Sequence, residues 1–496
     1  MANLYFSSGT EAKKLARLRA KGELYSIRRG IYIDTAEPEE TARTLENQWA
    51  DVADYLFRKP VAVARTAAEL RPAGGRIYCI SGELAGKRTI KVGHLLFDIA
   101  PGVADKGVEQ FTSNMKRSNS ARMCLENLAV SRGGQESKKT LGAVWVESEL
   151  IKVVQRRGEE GLNILRDEAR ELGPILGLER ECVQLLKLIS AILSSHSAEG
   201  VLQTGLGLAQ AKGEPFDQLR LQRFQDFSEY LKPLNLSENP YAYSQSSWRN
   251  VSFFESYFSN NIEGTEFTIE EAEEIVFESR TIGTRHADSH DVLAHMEISN
   301  DMTEMHKLPS TAAELINILK LRHGLLLAAR PDKRPGEFKE RSNRAGGTDF
   351  VLPEQVEGTF AQGFGIYQSL AGGMQRALFI HFLVSECHPF DDGNGRIARI
   401  MMNAELVSYS QFKIIIPTVH RDSYLSALRN ATRDGRYRTV VKVLHQLQCY
   451  CASLSWDDYG QAKSELQEHA ADKDPGQGVG IFNRVISKLG GDYPPG

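Results

Sequence analysis

The stretch CHPFDDGNGRIAR, residues 387–399, places a histidine, two aspartates, a Gly-Asn-Gly turn and two arginines close together. A hydrophobic core has no need of this mixture. The preceding MQRALFIHFLVSEC, residues 374–387, predicts an apolar helix. Pro389 should end that helix, because proline lacks an amide donor and disfavours helical backbone in the residue before it. We therefore expect His388 at a helix exit and a tight glycine turn over 392–395.

The residues after this turn predict a site for phosphate. RIARIMMNAELV begins a second helix, and its positive N-terminal end, with the turn amides, favours an anion. Arg396 and Arg399 are three apart, so they share one helix face and can clamp phosphate oxygens. Asp392 offers a hard oxygen ligand for Mg²⁺ held jointly with phosphate. His388 can take a proton from a hydroxyl. Each feature alone is more often structural, but in this order they indicate a nucleotide-phosphate site with a base beside it.

This stretch resembles the Fic family motif HPFx[D/E]GNGRxxR at every defined position, and the resemblance extends over roughly residues 205–455. It implies an all-helical domain that transfers AMP from ATP to a Ser, Thr or Tyr hydroxyl of a target protein, or of the enzyme itself, and expels pyrophosphate. Phosphate-transferring relatives carry lysine where this chain has Gly393, which favours nucleotidyl transfer. Some members use other nucleotides or phosphocholine donors, so the donor stays open.

The resemblance also implies roles for individual residues. His388 resembles the base and Asp392 the magnesium ligand. Asn394 and the turn amides resemble the α-phosphate cradle, while Arg396 and Arg399 resemble the contacts to the β- and γ-phosphates. The expected catalytic residues are His388, Asn394 and Arg396, the nucleotide-binding residues are Gly393, Asn394, Gly395, Arg396, Arg399 and Tyr424, and the metal ligand is Asp392.

A second motif lies upstream, in SNNIEGT, residues 259–265. Ser259 and Glu263 are four apart and would share a helix face, which Gly264 should end. Beside the first motif, these residues resemble the family's inhibitory motif (S/T)xxxE(G/N). Glu263 would then pair with Arg399 and take the place of the γ-phosphate. In some relatives this glutamate aids removal of AMP, so a hydrolytic role also stays open.

Residues 335–353, PGEFKERSNRAGGTDFVLP, predict a hairpin or flap within an otherwise helical region. This flap resembles the family's target-docking hairpin, whose strand edge can pair with an extended target segment. The residues expected to contact the target are Gly347, Thr348, Asp349 and Phe350. The histidines of residues 284–306 suggest a metal alternative, but the family has a plain core helix there, which we favour.

The chain has 496 residues, with 41% hydrophobic and 25% charged residues and a net charge of −4. These values are typical of a globular protein of about three domains. They give no global attraction to nucleic acid. Scattered cysteines indicate reduced thiols in a cytoplasmic protein, and without a run of about 18 apolar residues no membrane span is expected. Family members often form homodimers, which is an expectation here too.

The N-terminal region is the one clearly basic part of the chain. Its helix and alternating strands predict a winged-helix unit over 1–60, followed by an α+β domain over 61–200. Both resemble abortive-infection antitoxins of the type IV toxin–antitoxin class, which implies DNA binding or partner sensing. The remaining predicted segments are the Fic domain, 205–455, with its inhibitory helix, and a tail, 456–496, with one docked helix. The predicted DNA contacts are Lys13, Lys14, Arg17, Arg28 and Arg29.

Three functions remain open on the sequence. The favoured one is a protein adenylyltransferase inhibited by Glu263, because a vestigial module should have lost His388 or an arginine. The second is a de-AMPylating hydrolase that uses Glu263. The third is a DNA-binding regulator with a sensory Fic module.

Overall fold

A computed structural model of the chain describes residues 2–7, 11–57, 59–112, 114–132, 134, 137–193, 201–345 and 347–489. The chain forms two compact units, residues 1–213 and 214–496. The predicted fold class, mainly helical with small sheets towards the N-terminus, is confirmed. None of the helices in these described ranges is long and apolar enough to cross a membrane.

The first unit combines helices with two β-sheets. Its strands are β1 Leu4–Phe6, β2 Tyr25–Arg28, β3 Ile31–Ile33, β4 Val61–Ala62, β5 Arg76–Ser81, β6 Arg88–Val92, β7 Leu95–Pro101, β8 Val108–Gln110 and β9 Lys116–Ser118. Its helices are α1 Ala12–Ala20, α2 Pro38–Asn47, α3 Trp49–Leu56, α4 Ala64–Glu69, α5 Ser120–Leu128, α6 Ala143–Leu176, α7 Glu179–Ile192 and α8 Gly205–Ala211. One sheet is antiparallel with the order β1-β3-β2, and the other is mixed with the order β6-β7-β5-β4-β9-β8.

The mixed sheet is buried where β5 and β7 run parallel, with Ile77 opposite Phe97. Phe97 packs in one cluster with Leu45 of α2 and Trp49 of α3. A second cluster joins α5, α6 and α7. Helix α6 breaks at Gly158, whose φ of 62° and ψ of −166° lie outside the helical range. Backbone of this kind favours glycine, which explains the break.

The basic residues near the N-terminus are exposed to solvent. Helix α1 is followed by the antiparallel β2–β3 pair, as the pattern predicts. Lys13, Lys14, Arg17, Arg28 and Arg29 are all exposed. Their side chains are therefore accessible to a polyanion, but the winged-helix assignment, the likeness to antitoxins and DNA contact stay predictions.

The second unit is helical around one large core. Its helices are α9 Gln218–Leu231, α10 Gln245–Ile262, α11 Ile269–Glu278, α12 His286–Asn300, α13 Met302–Met305, α14 Ala312–Leu326, α15 Val356–Gln368, α16 Met374–Cys387, α17 Asn394–Ser408, α18 Arg421–Asp434, α19 Tyr437–Ala452, α20 Tyr459–Glu468 and α21 Pro475–Ile486. Between α14 and α15 lies a hairpin of β10 Arg344–Ala345 and β11 Thr348–Asp349. Short 3₁₀ turns occur at Pro331–Lys333, Pro353–Gln355 and Thr418–His420.

Helices α16 and α17 lie at the centre of this unit. Almost every residue of α16 is buried, including His381, and α17 buries polar residues together with its apolar ones. A helix that is apolar all round belongs in a core rather than at a surface. The sequence motif therefore lies between two helices that cannot shift without disrupting the core.

The unit boundary differs from the predicted domain limits. The second unit begins at residue 214 rather than 205, because α8 packs against α6 and α7 of the first unit. The predicted tail is also more than one docked helix. Trp456, Leu466 of α20 and Phe482 of α21 belong to the main core. Burial of these apolar side chains stabilises the second unit by roughly 25 cal/mol for each Å² of apolar surface removed from water.

Candidate active site

The turn between α16 and α17 is fixed by unusual backbone and by one asparagine. His388 adopts a φ of 46°, and Gly393 adopts 72°. A Cβ at position 393 would also lie 3.1 Å from Cδ1 of Leu327. Asn394 closes the turn, since its Oδ1 accepts from the Phe390 amide at 2.9 Å and its Nδ2 donates to the Phe390 carbonyl at 2.9 Å. In this structure the Asn394 side chain therefore shapes the turn, and the amides at the start of α17 make the anion-binding end.

Two buried arginines lie on the first turns of α17. Arg396 donates from Nη1 to Oδ2 of Asp291 at 2.6 Å and to Oδ1 of Asn260 at 3.2 Å. Nε of Arg330 binds the same Asp291 oxygen at 2.8 Å. Asp291 thus holds two guanidinium groups, which offsets part of the cost of burying Arg396. Sequence reasoning missed Asp291 because it lies far along the chain, within the histidine-rich stretch.

Arg399 is held by the end of α10. Its Nε donates to Oγ of Ser259 at 2.8 Å, and its Nη2 donates to the Ser259 carbonyl at 3.0 Å and to Oε1 of Glu263 at 2.7 Å. Gly264 follows with a φ of 90° and releases the chain from the helix. The structure thus brings together the three residues that the sequence grouped as an inhibitory motif and the arginine that they were expected to meet.

The Glu263 carboxylate lies at the N-terminal end of α17. A methyl group at position 395 would collide with Glu263 Oε1, so the carboxylate sits directly over Gly395. Desolvation opposes its ionisation, but the charge and hydrogen bond of Arg399, with help from Arg396 and His388, lower the pKa of Glu263. A carboxylate is unfavourable at the negative end of α10 but favourable at the positive end of α17. It therefore fills an anion site.

His388 lies beside this site as a neutral imidazole. Burial, with the positive charge of Lys339, lowers the pKa of His388 to about 4, against the Ser385 carbonyl and the Glu263 and Asp392 charges. At neutral pH the ring is unprotonated and can accept a proton. The ring of Phe350 stacks on it, with centroids 3.9 Å apart and planes 6° apart.

The hairpin is anchored over His388. Thr348 pairs with Ala345 in the β10–β11 register, and its Oγ1 accepts from Nε of Arg433 at 3.3 Å. The Asp349 carbonyl accepts from Arg220 at 2.5 Å. Gly347 takes a φ of 82° at the turn, and residue 346 lies outside the described residues. Of the four predicted flap residues, Phe350 contacts the predicted base, while Thr348 and Asp349 are bound by arginines.

Tyr424 lies behind Arg399. It is fully buried, and its hydroxyl contacts Nε2 of His381 at 2.7 Å and also hydrogen-bonds with Arg399. In this structure it supports an arginine of the anion site, whereas the sequence placed it near the nucleotide base. Contact with a base stays a prediction.

One residue fits the predicted metal. Asp392 is 38% exposed, and its Oδ1 accepts from the Gly393 amide at 2.6 Å, so the carboxylate is fixed at the turn yet accessible. One carboxylate beside bound phosphates is a typical Mg²⁺ arrangement. In the part of the chain that the structure describes, no group of three or more His, Cys, Asp or Glu side chains could hold a metal ion, and His286–Asn300 form α12.

Comparison with known proteins finds a family match and several relatives. Residues 313–406 match the Fic/DOC family, so this part of the chain is similar to Fic domains. The chain is 24% identical over 261 residues to the protein adenylyltransferase Fic of Drosophila persimilis, covering 51% of this chain and 49% of that protein. The protein of the same name from Drosophila willistoni is 26% identical over 219 residues, covering 43% and 42%. The chain thus spans about half the length of these curated relatives.

Solved Fic structures are also similar. Fic-1 (residues 134–508) from C. elegans is 14% identical with a TM-score of 0.35, covering 69% of this chain and 98% of that one. A Fic domain-containing signaling protein from Bacteroides thetaiotaomicron is 20% identical with a TM-score of 0.33, covering 56% and 99%.

Proposed function

We propose that this protein is a protein adenylyltransferase that moves AMP from ATP to a Ser, Thr or Tyr hydroxyl of a target protein or of itself. The observation that carries the proposal is the neutral His388 beside an anion site built from α17, Arg396 and Arg399. A base next to a phosphate site suits transfer of a phosphorus group to a hydroxyl. The name of the Drosophila relatives supports the same reaction.

The reaction balances with groups that the chain supplies. His388 takes the hydroxyl proton as the target oxygen bonds to the α-phosphorus. The bond from the α-phosphorus to the bridging oxygen breaks, and pyrophosphate leaves with both electrons. Arg396 and Arg399 bind its charge, and the amides at the start of α17 hold the α-phosphate. Positioning and charge neutralisation provide most of the rate in such transfers.

Asp392 would hold a Mg²⁺ ion at the turn. The ion supplies neutralisation of phosphate charge when it is bound. The chain's own part is to fix the carboxylate through the Gly393 amide, 2.6 Å from Oδ1.

We propose further that Glu263 inhibits this activity. Its carboxylate uses the Nη2 group of Arg399 that a γ-phosphate would need and covers Gly395 at the start of α17. A charged hydrogen bond contributes about 1.5–3 kcal/mol. Since 1.4 kcal/mol is a factor of ten, releasing it should raise productive ATP binding by roughly ten- to hundredfold.

The first prediction tests both proposals by intact-protein mass after incubation with Mg²⁺ and ATP. Wild type, Glu263→Gly and Glu263→Gly/His388→Ala are run side by side. We expect added AMP on Glu263→Gly, about ten- to hundredfold less on wild type, and none on the double variant.

Equal labelling of wild type and Glu263→Gly would refute inhibition. Labelling of the double variant would refute His388 as the base. No adduct with ATP or with any other nucleotide triphosphate, on the chain or on lysate proteins, would refute the transferase.

De-AMPylation is the second candidate, because Glu263 is ionised and its charge acts on His388. A carboxylate of this kind can position water for attack on an AMP ester. Protein labelled with AMP by the Glu263→Gly variant serves as the substrate that distinguishes hydrolysis from simple inhibition. Wild type would release AMP from it if Glu263 served hydrolysis, and would leave it intact if Glu263 only blocked ATP.

A further inference from the structure

We propose that Phe350 is a positioning residue for the transfer, which fixes the plane of the His388 imidazole so that the ring nitrogen not bonded to Ser385 is held in one orientation to receive the hydroxyl proton. This inference rests on the proposed function. It assigns to the flap a role towards the base, in addition to the docking of a target.

The geometry at His388 leaves the ring little freedom. The Phe350 ring covers one face, with centroids 3.9 Å apart and planes 6° apart. The His388 side chain also forms a hydrogen bond with the Ser385 carbonyl. A carbonyl can only accept, so the nitrogen that meets it carries the proton. The other nitrogen of the neutral ring is then the unprotonated one.

A stack and a hydrogen bond restrict different motions. The hydrogen bond fixes which nitrogen faces Ser385, while the parallel ring opposes rotation about the bond to the imidazole. Aromatic stacking of this kind favours one ring orientation by roughly two- to tenfold. Transfer of a proton needs such orientation, and a 1 Å misplacement can reduce a rate by about a hundredfold.

Phe350 is itself held from several directions. Its amide donates to the Asn343 carbonyl at 3.3 Å. Nδ2 of Asn343 donates to the His388 carbonyl at 3.1 Å and to the Phe390 carbonyl at 3.0 Å. The neighbouring Asp349 carbonyl is bound by Arg220. The flap and the turn are therefore tied through Asn343, which holds the Phe350 backbone close to His388.

The second prediction compares Phe350→Leu with Phe350→Tyr, both in the Glu263→Gly protein. Leucine keeps apolar volume without a ring, whereas tyrosine keeps the stacking ring. We expect Phe350→Leu to lower kcat for AMP transfer about tenfold with little change in KM for ATP, because the stack is with His388, whereas Arg396 and Arg399 are the proposed phosphate contacts. Phe350→Tyr should stay within about threefold of the parent, since the stack is retained.

A second measurement is independent of transfer. Diethyl pyrocarbonate modifies neutral imidazoles, and peptide mass spectrometry reports its rate at His388. We expect faster modification in Phe350→Leu than in Phe350→Tyr or the parent, because one ring face is uncovered. Equal modification of all three proteins, or a change confined to KM for ATP, would overturn the inference. If the Glu263→Gly parent transfers no AMP, the proposed function fails, and the modification rates alone decide on Phe350.

Discussion

Among single residues, His388 shows how burial would prepare the proposed base. Its ordinary pKa lies near neutrality, and burial is the first cause of its fall to about 4. Lys339 adds to the fall, and its own pKa is lowered to about 8 by burial. The low pKa makes His388 a weaker base but keeps it unprotonated at neutral pH. Precise orientation of the ring can offset the weaker basicity.

This value gives the third prediction, a pH profile. Transfer by the Glu263→Gly protein should be flat from pH 8 to about pH 5 and fall as the pH approaches 4, where His388 becomes protonated. Removing Glu263 takes away a charge that raises the pKa of His388, so the fall should not move upward. Initial rates at constant ionic strength, with folding followed by circular dichroism at each pH, check it. A fall centred near pH 6.5 would contradict a buried, neutral base.

Protonation of His388 at acidic pH should lower the stability of the fold as well as the activity. A histidine whose folded pKa is below its unfolded value of about 6.5 stabilises the fold above that value. The contribution is lost as the pH falls through about 4. His323, with a pKa lowered to about 4 mainly by burial, acts in the same direction.

At the scale of the element, the turn between α16 and α17 depends on Asn394. Its side chain binds both the amide and the carbonyl of Phe390, and Phe390 is fully buried. The turn needs this closure because its backbone departs from helical values at His388 and Gly393. Asn394 is thus as important for the shape of the anion site as for any contact with a ligand.

The fourth prediction concerns this closure. Asn394→Ala should lower the free energy of unfolding by about 1–3 kcal/mol, because it leaves buried backbone groups without partners. Urea unfolding followed by tryptophan fluorescence measures it. Asn483→Ala, on an exposed position of α21, is the matched control and should change stability by less than about 0.5 kcal/mol. Equal midpoints for the two variants would show that the turn holds without Asn394.

At the scale of the whole molecule, a buried ion pair joins distant parts of the second unit. Nζ of Lys413 contacts Oε2 of Glu255 at 2.9 Å, and both side chains are buried. The ammonium also donates to the Ser299 carbonyl at 2.8 Å and lies 4.1 Å from the ring of Trp248. Asn403 of α17 binds the other Glu255 oxygen at 2.9 Å. Helix α17, which carries the sequence motif, and helix α10, which ends at Glu263, thus share one buried polar network.

The fifth prediction breaks this network. Lys413→Met should destabilise the second unit by about 3–5 kcal/mol, because it leaves the Glu255 carboxylate buried without a counter-charge. Trp248 lies beside the ammonium group. Its fluorescence during urea unfolding therefore reports directly on the stability of this region. Lys442→Met, at an exposed position of α19, is the control and should be nearly neutral. A loss below about 1 kcal/mol would contradict the importance of this buried pair for stability.

The local parts of this site could be predicted from the amino-acid sequence. The order of residues 387–399 predicts the helix exit, the glycine turn and the two arginines on one face, since these depend on neighbours a few positions apart. The spacing of Ser259 and Glu263 likewise predicts a shared helix face at the end of α10. The hairpin after Pro335 follows from its glycines and from the interruption of helical periodicity.

The contacts between residues far apart in the chain could be found only in the folded structure. Asp291 binds Arg396, Tyr424 lies behind Arg399, and Phe350 stacks on His388, although each pair is separated by tens of residues. The docking of α20 and α21 was decided in the same way, through Trp456 and Phe482. Such contacts arise when buried helix faces pack together. Periodicity along one segment shows which face is buried, but it does not show which other segment covers that face.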